Sequence, residues 1–76
     1  MNVAVKDFSE PDNGFAEVKI TPSSVDRKTA IQTAKAEASK ILGISEFEIG
    51  NPTLIEEVGD AWFIEFNFDK PRAHFN

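Results

Sequence analysis

Between Trp62 and Phe68 large apolar residues fall on every second position: Trp62, Ile64, Phe66 and Phe68 alternate with Phe63, Glu65 and Asn67. Successive side chains of a strand point to opposite faces, so this period predicts a β-strand with one face turned to a core. Full burial of such residues stabilises by about 1.5–3 kcal/mol each, which predicts a central position for the strand in whatever sheet forms. The chain has 76 residues and no Cys, so no disulfide supplements its core. A single core in a chain below about 80 residues supplies roughly 3–5 kcal/mol net. The remaining residues must therefore cover this strand within a single domain, residues 1–76.

Turn residues divide the rest of the chain into short elements. Residues 3–8 predict a strand, and the Asn13-Gly14 pair predicts a turn into a second strand over 15–21. In that strand Ala16, Val18 and Ile20 share one face, while Glu17 and Lys19 share the other. Pro22 closes the hairpin, and Ser23 and Ser24 offer hydroxyls to cap a helix over 24–42. Within it Ala30, Ile31, Ala34, Ala38, Ile41 and Leu42 recur at helical spacing, and Gly43 is placed to end it. The small side chains of Ala30, Ala34 and Ala38 predict close approach to a sheet. Residues 44–50 read neither as helix nor as strand. Asn51-Pro52 marks a turn before a strand over 53–58, and Gly59-Asp60 turns the chain into the strand over 61–68. The expected fold is α+β, an antiparallel sheet in β-β-α-β-β order with one helix packed on one face.

Formal charge is −5, and its distribution is uneven. The first forty residues carry six bases and six acids. From Ile41 to Asp69 there is no Lys or Arg, while Glu46, Glu48, Glu56, Glu57, Asp60, Glu65 and Asp69 are all acidic; Lys70 and Arg72 follow in the tail, residues 70–76. Such a field attracts basic protein surfaces and repels nucleic-acid backbones and anionic membranes. The same run serves equally as a solvated face that keeps the chain soluble. No apolar run approaches the roughly 18 residues of a membrane span, and the first residues lack the apolar core of a signal peptide. These features, with the absence of Cys, predict a cytoplasmic protein.

The residue inventory argues against catalysis. Nucleophilic chemistry needs a base beside the nucleophile, and the single His is His74, near the chain end. One His and no Cys offer no zinc-ligand spacing. Gly14, Gly43, Gly50 and Gly59 are isolated and form no phosphate-binding loop. The expectation is a non-enzyme without cofactor or metal. The residues left for function lie in the last hairpin: Glu56, Glu57, Asp60, Phe63 and Glu65. Glu57, Glu65 and Phe63 are expected to project from one sheet face, with Glu57 beside Glu65 and the Phe63 ring as an anchor. A second expectation for Phe63 is a small cluster with Ile55 and Phe15.

Residues Thr29 to Ala34, Ile41-Leu42-Gly43-Ile44, Asn51-Pro52 and Gly59-Asp60-Ala61-Trp62-Phe63-Ile64 resemble two groups of small bacterial domains over Thr29 to Phe66. One comprises immunity proteins of cystatin-like or nuclear-transport-factor-like fold, which neutralise a toxin. The other is the PepSY domain, an inhibitory or regulatory module often attached to peptidases. Both resemblances imply a binding module. The expected partner is a basic protein surface, on a toxin, a nuclease or a nucleic-acid-binding complex, with no direct contact to nucleic acid or membrane. A phage-type inhibitor of a host defence complex, imitating nucleic-acid charge, fits the same acidic run.

Overall fold

The computed structural model describes residues 1–10 and 13–68; the tail 70–76, with His74, lies outside them. Four strands, β1 (Asn2–Asp7), β2 (Gly14–Thr21), β3 (Leu54–Val58) and β4 (Ala61–Phe68), form one antiparallel sheet in the order β1-β2-β4-β3. Two helices, α1 (Arg27–Leu42) and α2 (Glu46–Ile49), connect β2 to β3. The chain thus leaves the sheet at β2, returns at the far edge as β3 and folds back as β4 into the centre. The α+β class, the antiparallel sheet with one main helix and the interior position of the Trp62–Phe68 strand are those expected; α2 adds a second, short helix to the expected β-β-α-β-β order.

One face of the sheet makes the core. Val18 and Ile20 from β2, Ile64 and Phe66 from β4, Ala30, Ala34 and Ala38 from α1, and Ile49 from α2 form a continuous buried cluster, with Val3, Val5, Ile55 and Trp62 at its margin. Phe66 is the largest of the fully buried side chains. The three alanines of α1 are each 0 % exposed, because a helix without bulk on that face can lie directly against the strands. Ile41 is at the same spacing but is exposed, and Leu42 and Ile44 pack against the core in its stead.

The start of α1 differs from the expectation. Asp26, not Ser23 or Ser24, is the N-cap, and its side chain accepts from the Thr29 backbone N–H at 3.3 Å. The serines belong to the preceding turn, where the Ser23 N–H donates to the Asp60 carbonyl at 3.0 Å. A carboxylate at the cap satisfies an otherwise unpaired helical N–H and lies at the positive end of the helix dipole. Gly43 ends the helix at φ 72°, with its N–H bonded to the Ser39 carbonyl. The unassigned stretch 44–50 contains α2, a single turn held by a capping box: Ser45 accepts from the Glu48 N–H, and the Glu48 carboxylate accepts from the Ser45 N–H. That box and the burial of Ile49 set α2 on the core, while Phe47 projects outward and is 95 % exposed.

Trp62 is only partly buried, at the rim of the core and not at its centre. Its indole Nε1–H donates to the Val25 carbonyl at 2.9 Å, tying β4 to the loop before α1. Trp62→Phe keeps most of the packing and removes this bond, so it is expected to lower unfolding free energy by about 1 kcal/mol, measured by urea denaturation. An unchanged midpoint would show that the bond contributes nothing to the fold.

Candidate protein-binding surface

The hairpin that carries the candidate residues is set by a two-residue turn. Gly59 takes φ 60°, a left-handed conformation that side-chain-bearing residues rarely adopt, and Val58 pairs with Ala61 across it. From that closure the register follows as Glu57 opposite Trp62, Glu56 opposite Phe63, Ile55 opposite Ile64 and Leu54 opposite Glu65. Directly opposed residues share a face. Odd-numbered residues of β3 therefore share a face with even-numbered residues of β4.

This parity corrects the expected site. Glu57 does not lie beside Glu65 and Phe63; it projects beside Trp62, on the face that carries α1. Glu56 takes its place on the open face, opposite Phe63 and two residues from Leu54, the cross-strand neighbour of Glu65. The carboxylate directly across from Glu65 is Glu17 of β2. Phe63 is half-buried, with Lys19 opposite it on β2 and the Lys19 Nζ 5.8 Å from the ring centroid, a distance at which an ammonium is attracted to the ring face. The expected cluster of Phe63 with Ile55 and Phe15 does not form. Ile55 is on the helix face, and Phe15 stacks obliquely on Phe8, centroids 5.9 Å apart.

The acidic run is consequently spread over both faces of the hairpin, its tip and α2, not gathered on one face. Glu56 and Glu65 are on the open face, where Lys6, Lys19 and Glu17 also project, so that face as a whole is of mixed charge. Glu57 is on the helix face and Asp60 at the hairpin tip. Asp60 has a structural task as well: its carbonyl and, at 3.4 Å, its Oδ1 accept from the Ser23 N–H, joining the tip to the β2–α1 loop. Glu46 and Glu48 flank Phe47 on α2.

What sequence reasoning did not supply is the offset of the helix. α1 approaches β1, β2 and β4 but not β3, and the only element that β3 approaches is β4. Among the described residues, then, no helix or strand other than β4 comes close to β3, and only the half-buried Ile55 reaches the core from the strand's helix face. Its surface combines the exposed apolar side chains of Leu54 (41 %) and Val58 (50 %) with the exposed carboxylates of Glu56 and Glu57.

A separate open groove lies at the far end of β4 from the hairpin tip, lined by Phe8, Glu10, Phe15, Glu48 and Phe68 among others. It pairs no nucleophile with a base. Among the described residues no three His, Cys, Asp or Glu side chains are grouped to hold a metal ion, and no helix is long and apolar enough to cross a membrane. Comparison with protein-family models, curated protein sequences and solved structures finds no match to this chain.

Proposed function

We propose that this chain is a protein-binding module that uses the β3–β4 hairpin to engage a basic protein surface, acting as an inhibitor that occupies the partner's functional face. The observation that carries the reading is the state of β3: an edge strand beyond the cover of α1, with Leu54 and Val58 exposed beside Glu56 and Glu57. Residues 53–68 add Asp60 and Glu65 and contain no Lys or Arg. Apolar contact provides the affinity of such a surface, while its charge steers encounter and selects a basic partner. A toxin or nuclease that itself holds nucleic acid presents a surface of that sign, and so does a nucleic-acid-binding defence complex.

The test is affinity capture from the native cell with the tagged full chain, followed by the same capture with Glu56→Lys combined with Glu57→Lys. Both side chains are exposed on an edge strand, so the variant should keep its fold. The reading predicts that the native chain retains a basic protein and that the variant binds it about tenfold more weakly or worse. Loss of two rim ion pairs, at roughly 0.5–1 kcal/mol each, already approaches that factor. The difference should shrink as salt is raised from low to physiological strength. Equal affinity of a folded variant at both ionic strengths would remove the acidic hairpin from the binding surface.

A further inference from the structure

Strands at a sheet edge present backbone N–H and C=O groups with no partner on the outer side, and natural folds usually cover or disrupt such edges. β1 and β3 are the two edges here. They are treated differently by the fold. α1 lies over β1 and brings the helix layer to that margin, whereas among the described elements β3 is approached by β4 alone. β3 contains no Pro or Gly to interrupt pairing, and its register with β4 is continuous from Leu54 to Val58.

The charges on β3 determine what can pair there. Glu56 and Glu57 are consecutive, so one carboxylate stands on each face of the sheet. In-register edge pairing with a second copy of the same strand, parallel or with Glu56 opposite Glu57, would oppose carboxylates on both faces, and directly opposed like charges are destabilising. A strand carrying two consecutive basic residues meets both carboxylates at once, one on each side. On either side of that pair, Ile55 and Leu54 at one end and Val58 at the other offer apolar cross-strand neighbours.

We propose that the partner adds a β-strand to the outer edge of β3, and that this strand is an extended segment with two consecutive Lys or Arg residues flanked by β-branched apolar ones. The mode rests on the protein-binding reading above and specifies it. Main-chain hydrogen bonds hold the added strand, and alternate side chains select it. The five-stranded sheet that results would extend beyond α1 on the helix face and shield Leu54 and Val58 on the open face.

The probe is the acetylated, amidated peptide Thr-Val-Lys-Lys-Ile-Val-Thr, titrated into the isotopically labelled full chain and followed by amide chemical shift and hydrogen exchange. Two analogues of it, N-methylated at alternate residues in opposite phase, keep charge and side chains; in an antiparallel or parallel pairing one of the two loses the donors that face β3. The proposal predicts that shifts and new protection concentrate in Leu54–Val58 and that one analogue binds at least about tenfold more weakly than the parent, as expected from losing two hydrogen bonds of about 1 kcal/mol each. Equal binding by the parent and both analogues would overturn strand addition while leaving the charge-based reading intact. Protection appearing on β1 or around Phe47 instead, or no binding of the parent peptide, would also overturn it. The Glu56→Lys, Glu57→Lys capture decides the underlying reading separately.

Discussion

Phe66→Ala is expected to abolish cooperative folding. Phe66 is the largest fully buried side chain, at the centre of the cluster that joins β2, β4 and both helices. Truncating a buried Phe to Ala costs about 3–5 kcal/mol, the lost transfer of the ring plus the cavity it leaves. That range equals the roughly 3–5 kcal/mol that a single small core supplies, so little or no native population should survive. Circular dichroism should show an unfolded chain without a thermal transition. Phe47→Ala is the matched control, since the same chemical change at a 95 % exposed ring should alter stability by no more than about 0.5 kcal/mol. A Phe66→Ala protein that melts within a few degrees of the native chain would show that the core is elsewhere.

Ala34→Leu tests the opposite failure. Ala34 is at the middle of the α1 stripe, 0 % exposed, between Ala30 and Ala38 and in the same cluster as Val18, Ile20 and Ile64. The helix lies where it does because these positions carry only a methyl group. Leu at that position must move the helix outward or force neighbouring side chains off their rotamers, at a cost of typically 1–3 kcal/mol, a large share of the total for this domain. The control is Ala36→Leu, on the exposed side of the same helix, where helix propensity barely changes. Denaturant midpoints should separate the two variants clearly. A stabilised Ala34→Leu protein would mean that the helix–sheet interface contains space that the packing described above denies.

These two predictions concern the part of the fold that was most legible in the sequence. The alternation at Trp62–Phe68 and the Ala30, Ala34, Ala38 spacing are local periodicities, and each states directly which residues face a core. The acidic hairpin was legible only as composition. Its faces depend on how many residues the Gly59-Asp60 turn consumes, and pairing of Val58 with Ala61 moved Glu57 to the helix side and brought Glu56 beside Phe63. A slip of one residue inverts every assignment on a strand, so Glu57 and Glu56 stand on the faces opposite to those the expectation gave them. The same alternation puts Trp62 on the core face, where it packs at the rim near the turn and its indole bonds the Val25 carbonyl. α2 escaped because one turn fixed by a Ser45–Glu48 capping box has no periodicity to detect. The offset of α1 from β3 has no local signature at all, since it arises from packing between elements distant in sequence.

The protein-binding account stands on that offset, and amide hydrogen exchange tests it most directly. The exchange of Leu54–Val58 should be measured in the free full chain and again in complex with the captured basic protein. In the free chain β3 should exchange faster than β2 and β4, because among the described elements it pairs with β4 and is approached by no other. On binding, the account predicts that protection rises most in β3 and next at the Gly59-Asp60 tip, with α1 and β1 unchanged. Protection that instead gathers on α1, on β1 or around Phe47, leaving β3 as fast as in the free chain, would contradict it.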